Sequence, residues 1–141
     1  MQQIMNNLYI GDIQDALNTC SKQEKIIIVS LVQDIPLKLC FNSIPSIIHI
    51  PLFDGKNELI KIKVTLQIIC TLLEKNNKVL IACRAGLSRS VIITTAVYAL
   101  QNKISFDEAY NYINKVYPQN FPEQELFQQT KKVTEELMCS S

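Results

Sequence analysis

Tryptophan is absent from the 141-residue sequence, histidine occurs once, and the three glycines and five prolines leave little room for long irregular loops. The cysteines, Cys20, Cys40, Cys70, Cys83 and Cys139, are odd in number and scattered, with no C-x-x-C pair. That excludes the usual zinc spacings and a disulfide framework, so no metal and no cofactor is expected. Unpaired thiols instead point to a reducing compartment. No run approaches the roughly 18 apolar residues of a membrane span, and Met1 to Asn7 lacks the basic-then-apolar order of a secretory leader. A soluble, intracellular, cytoplasmic chain without membrane contact is therefore expected. Excess charge is missing too: 14 Lys and Arg balance 13 Asp and Glu, for a net +1. No basic cluster exceeds Lys131-Lys132, so long-range attraction to nucleic acid is weak and any phosphate recognition must be local.

What the chain does have is apolar sequence, at 48% of residues. With no linker, repeat or low-complexity stretch, residues 1–141 read as one domain with a sizeable core. Short β-branched runs predict strands at Leu8 to Gly11, Ile26 to Leu31, Ile47 to Ile50 and Lys78 to Ala82. Between them, Leu59, Ile62, Leu66, Ile69 and Leu73 recur at helical steps, with Asn57 as the expected N-cap. Ser105 to Glu108 forms a capping box for a helix carrying Phe106, Ala109, Tyr110, Ile113 and Val116. A last helix is predicted from about Pro122, presenting Leu126, Thr130, Val133 and Leu137. Val91 to Leu100 is apolar nearly all round and reads as a buried central helix. Strands alternating with helices define an α/β fold, a mostly parallel central sheet flanked by helices, which binds ligands at the carboxyl ends of its strands.

Cys83 falls at one such end. The order Val79-Leu80-Ile81-Ala82, then Cys83-Arg84-Ala85-Gly86-Leu87-Ser88-Arg89-Ser90, then Val91-Ile92-Ile93 reads as strand, tight loop and helix. Unpaired backbone N–H groups at the helix start would stabilise both a thiolate and a phosphate. A free cysteine is only a few per cent thiolate at neutral pH. The helix dipole supplies only about 0.3 to 2 kcal/mol toward ionisation, so the loop amides and a cation must contribute as well. Arg89 is placed to be that cation, and its planar fork matches two phosphate oxygens at once. Gly86 permits a backbone turn that points successive N–H groups inward. Ser90 is in position to hydrogen-bond the sulfur when it leaves. Asp54-Gly55, 29 positions ahead of Cys83, follows a predicted strand end and begins a loop; taken alone it is either a common turn pair or a carboxylate on a mobile loop suited to acid–base work.

The form Cys-Arg-Ala-Gly-Leu-Ser-Arg-Ser after an apolar strand resembles the signature loop of the dual-specificity protein phosphatases, within the cysteine-dependent tyrosine phosphatase superfamily. Leu8 to Gly11 resembles the start of that family's domain, Ile50 to Asp54 its general-acid segment, and Tyr117 to Phe121 its late loop, so the likeness covers nearly the whole chain. The resemblance implies a tyrosine phosphatase-like fold and a phosphorylated protein as substrate. It implies that Cys83 forms a phosphocysteine, that Arg84, Ala85, Gly86, Leu87, Ser88 and Arg89 hold the phosphoryl oxygens, that Asp54 is acid and then base, and that Ser90 assists release.

One departure stands out. Ala82 occupies the place where the family has histidine, so a side-chain brace for the loop is missing. This keeps a second reading open, a catalytically weak phosphate-binding pseudophosphatase or interaction module, although pure binding needs neither nucleophile nor acid. His49 reads as structural. RNA 5′-triphosphatase and phosphoinositide phosphatase activity occur among relatives, but the near-neutral charge and the lack of lysine between Cys83 and Arg89 give them little support. For a chain this short, the resemblance implies a shallow site that admits phosphotyrosine together with phosphoserine or phosphothreonine. Asn120 and Gln124 read equally as amides that orient water or as turn and surface amides and stand outside the site, and the tyrosines read as core or interface residues.

Overall fold

The structure is a computed structural model, and it describes residues 1–21, 25–34 and 47–140; Cys40 lies outside them. Strands β1 (Gln2–Met5), β2 (Leu8–Asp12), β3 (Ile27–Ser30), β4 (Ile47–His49) and β5 (Val79–Cys83) form one sheet in the order β1-β2-β5-β3-β4. Among the described strands only β1 runs antiparallel to its neighbour; β2, β3, β4 and β5 are mutually parallel. The described helices are α1 (Ile13–Ser21), α2 (Leu59–Glu74), α3 (Arg89–Asn102), α4 (Phe106–Val116) and α5 (Gln124–Cys139).

Strand alternation divides the core in two. Leu80, Ala82 and Ile28 face α1, where they pack with Ala16, Cys20 and Ile26. Val79, Ile81, Cys83, Leu8, Ile10 and Val29 face the larger helical layer, meeting Ile62, Leu66 and Ile69 of α2 and Val91, Ile92 and Ile93 of α3. Every residue of β5 is buried, as expected of a central parallel strand covered on both faces. Helix α3 is buried over Ser90 to Val97 and again at Ala99, which fits its lack of a polar face. Its amino end is thus fixed by packing on several sides at the carboxyl end of β5.

Two elements carry weaker sequence signals and were not expected. Strand β1 is half polar, and it forms because the two-residue connection Asn6-Asn7 returns the chain to β2, with Asn7 in the left-handed region at φ 70°. Helix α1 begins with a reciprocal cap: Asp15 N–H donates to Asp12 Oδ1 at 2.8 Å and Asp12 N–H to Asp15 Oδ2 at 3.0 Å. Two expectations need correction. The residue before α2 is Glu58, which makes no side-chain cap bond, so Asn57 is not the cap; its amide is engaged elsewhere. Leu59 leads α2 and is exposed, whereas Ile62, Leu66, Ile69 and Leu73 are buried. Helix α5 starts two residues beyond Pro122, capped by Glu123, whose carboxylate accepts from Leu126 N–H at 2.8 Å. The capping box of α4 does form, Ser105 Oγ accepting from Glu108 N–H at 3.1 Å.

Candidate active site

Cys83 ends β5 and is almost wholly buried, at 2% exposure. Ser90 Oγ lies 3.2 Å from Cys83 Sγ. Across the turn, Gly86 adopts φ +69°, and a Cβ there would stand 3.0 Å from the Tyr117 hydroxyl and 3.2 Å from the carbonyl of Gly11. The loop therefore needs glycine twice over, for conformation and for space. Tyr117 packs beneath it, and burial together with negative charge at Cys83, Asp12 and Asp15 pushes its phenol up, keeping it neutral.

Ser88 stands at the N-cap position of α3 yet makes no cap bond with its side chain. Forgoing such a cap costs about 0.5–2 kcal/mol, and the first helical amides are left for an anion. The Ser88 hydroxyl is engaged elsewhere: it donates to Asp54 Oδ1 at 2.6 Å and accepts from Glu123 N–H at 2.9 Å. Phe121 N–H donates to Leu87 O at 2.7 Å, and Ile13 N–H to Arg84 O at 3.4 Å. The loop is thus tied to the acid segment, to the segment before α5 and to the start of α1.

Arg89 opens α3 and donates through Nη1 to Leu52 O at 3.1 Å and to Leu31 O at 3.4 Å. Neither bond uses Nε or Nη2, so the edge that can fork two phosphate oxygens is not spent on them. Asp54 is exposed one residue past Phe53. Its segment is tied back on itself by side-chain bonds. The buried Asn57 amide accepts from Phe53 N–H at 3.0 Å and donates to Phe53 O at 2.9 Å and Gly55 O at 3.0 Å.

Cys83, Arg89, Ser90 and Asp54 are thereby brought to one end of the sheet, with Arg84 to Ser88 between them. The sequence pattern marks Ser88 only as cradle backbone. The Ser88 link depends on residues 34 positions apart, which no local pattern reveals. An asparagine three residues past an aspartate in a turn was the available hint for Asn57.

Ala82 is fully buried on the α1 face, the face opposite Cys83. His49 lies on β4, with β3 between it and β5, and its Nε2 is 2.6 Å from Val32 O, so it does not stand in for a histidine at position 82. A cavity of about 650 Å³ lined by Glu74, Leu100, Lys103, Leu137 and Met138 lies toward the far end of α3, away from this chemistry. Among the described residues no group of three or more His, Cys, Asp or Glu could hold a metal ion, and no helix is long and apolar enough to cross a membrane.

The fold superposes on human DUSP28 with a TM-score of 0.82 at 18% identity, covering 100% of both chains. It superposes on DUSP15 with a TM-score of 0.81 at 20% identity, covering 99% of this chain and 93% of that one. In sequence it is 28% identical over 124 residues to the protein named "Putative tyrosine phosphatase 123R" of Invertebrate iridescent virus 6, spanning 84% of this chain and 81% of that protein. The model of the family described as "Dual specificity phosphatase, catalytic domain" matches residues 8–135. The chain belongs to that family, and it is a protein phosphatase.

Proposed function

We propose that residues 1–141 act as one catalytic unit that hydrolyses phosphate monoesters on protein through a phosphocysteine. The observation that carries this reading is the convergence on one loop of Cys83 Sγ, 3.2 Å from Ser90 Oγ, and Asp54, tied to the same loop through Ser88 at 2.6 Å. The Cys83 thiolate attacks phosphorus, forming an S–P bond as the ester P–O bond breaks. Asp54 gives its proton to the departing oxygen. The transferring phosphoryl group is held by the Arg89 fork and the amides from Arg84 to Arg89, donors already oriented by α3. Asp54, now a carboxylate, takes a proton from water while the water oxygen attacks phosphorus. The S–P bond breaks, inorganic phosphate leaves, and the sulfur's charge is received by the Ser90 hydroxyl. A thiol nucleophile calls for a reducing, intracellular compartment.

The finer reading favours phosphotyrosine, with phosphoserine and phosphothreonine also admitted. Phe53, Leu87 and Phe121 are 61%, 40% and 84% exposed. Phe53 flanks Asp54, Leu87 flanks Ser88, and Phe121 is bonded to the Leu87 carbonyl, so the three rim the mouth of the loop. An aryl ring covers such a rim, gaining about 25 cal/mol per Å² of apolar surface removed from water. A seryl methylene covers little of it.

The test is turnover of p-nitrophenyl phosphate by the purified protein. Activity abolished in Cys83→Ser, with a phosphocysteine trapped in Asp54→Asn, supports the reading. Turnover no greater than that of Cys83→Ser overturns it in favour of a phosphate-binding module, and an unaltered rate in Asp54→Asn removes Asp54 as the acid.

A further inference from the structure

Asp54 is exposed, yet the segment around it is held by several hydrogen bonds. Asn57, 7% exposed, closes residues 53 to 57 into a ring by spending its side-chain amide on Phe53 N–H, Phe53 O and Gly55 O. Its backbone is then gripped from outside. Asn57 N–H donates to Gln129 Oε1 at 2.9 Å, and Gln129 Nε2 donates to Asn57 O at 2.7 Å. A single side-chain amide on α5 thus answers both backbone groups of one residue in the acid loop, 72 positions away. Paired bonds of this kind fix orientation as well as distance, since neither can rotate without breaking the other. Helix α5 is itself seated in the core through Leu126, Thr130 and Val133, so the grip is anchored on a rigid element.

We propose that Gln129 is a positioning residue for proton transfer: it holds the Asn57 ring so that the Asp54 carboxylate stands over the phosphate loop, where Ser88 meets it. The proposal rests on Asp54 being the general acid. Gly55 is not the source of the loop's shape, because a Cβ there would meet nothing within 4 Å and its backbone is outside the left-handed region. Order comes from the amide bonds. Gln129 touches no reacting atom, and its effect passes through the loop it holds.

Leaving-group dependence is the readout that separates this role from a structural one. An acid matters most where the departing oxygen is a poor leaving group, as in phenyl phosphate, and least where it is a good one, as in p-nitrophenyl phosphate. Asp54→Asn is the reference and lowers the phenyl-to-p-nitrophenyl ratio of kcat/KM, which reports the step that expels the ester oxygen, by about 10²-fold or more. Gln129→Leu, close in size but unable to form either bond, is expected to lower the same ratio by roughly 10- to 100-fold, the cost of an acid misplaced by about 1 Å. Gln129→Glu retains an acceptor for Asn57 N–H and loses the donor to Asn57 O, so its ratio should fall between wild type and Gln129→Leu. That variant also decides the matter if Gln129→Leu does not fold. A Gln129 variant that slows both esters equally, or neither, overturns the proposal. An Asp54→Asn variant that leaves the ratio unchanged overturns the acid reading instead, and the two failures are distinguishable.

Discussion

Ser90 Oγ lies 3.2 Å from Cys83 Sγ, with both residues buried beneath the phosphate loop and seven positions apart in the chain. A hydroxyl so placed has little to offer the first chemical step, in which the sulfur gives up charge as it bonds to phosphorus. It matters in the second, when the sulfur leaves as a thiolate in a site with little water to receive it. Ser90→Ala is therefore expected to leave the first p-nitrophenol release nearly intact and to slow phosphocysteine breakdown by about 10-fold, one lost hydrogen bond to a charged group. Rapid-quench kinetics should show a burst equal to the enzyme concentration that wild type lacks. A uniform slowing with no burst would remove Ser90 from the release step.

Gly86 carries the loop's turn. Alanine there places a Cβ 3.2 Å from the Gly11 carbonyl, in a backbone region at φ +69° that costs an L-residue about 1–2 kcal/mol. The Tyr117 hydroxyl, 3.0 Å from that Cβ, could be removed, but the Gly11 backbone could not yield so easily. Gly86→Ala should lower thermal stability and reduce kcat/KM sharply, because the amides of residues 84 to 89 no longer converge. Adding Tyr117→Phe should not restore either quantity. Full rescue by that second change would show that the hydroxyl, and not the conformation, sets the need for glycine.

The loop, the buried helix behind it and the parallel sheet were legible because each is a local pattern: an apolar run, a glycine within a short motif, a helix with no polar face. Asp54 was legible from its place after Ile50-Pro51-Leu52. The bonds that orient it were not. Asn57 looked like a helix cap since a small polar residue ahead of an apolar period usually is one, and only the fold shows its amide spent on residues 53 and 55 and its backbone on Gln129. Ser88 was hidden in the same way, because its two partners lie 34 and 35 positions away in opposite directions. Long-range polar contacts leave no period in a sequence. Strand β1 escaped because its edge position tolerates glutamine.

Ala82 looked like a missing brace, and the fold gives it a reason. In register, Ala82 sits between Gly11 on β2 and Ser30 on β3, and it packs in the small core with Ala16 of α1. Neighbours this small suit a methyl group. An imidazole at position 82 would displace α1 or distort β5, at about 1–3 kcal/mol for overpacking. Ala82→His is thus expected to lower the denaturant midpoint and to leave turnover no higher than wild type. Higher turnover with unchanged stability would show that the alanine is an uncompensated loss and would strengthen the weak-binder reading.

The rim gives the last prediction. Phe121 is 84% exposed beside the loop, held there by its N–H bond to Leu87 O at 2.7 Å, and exposed aromatic surface at a binding mouth gains most when a ligand covers it. Because the anchoring bond is made by backbone, Phe121→Ser removes the ring and keeps the tie. The expected result is a several-fold rise in KM for a phosphotyrosyl peptide, the loss of part of the about 1.5–3 kcal/mol available from burying one phenylalanine. Phosphothreonyl peptide, which leaves that ring largely uncovered, should show a much smaller change, and kcat should hold for both because Phe121 touches no reacting group. Measuring the two peptides side by side decides it: an equal rise for both would mean that Phe121 acts on the loop and not on the aryl group, and the phosphotyrosine preference would lose its structural basis.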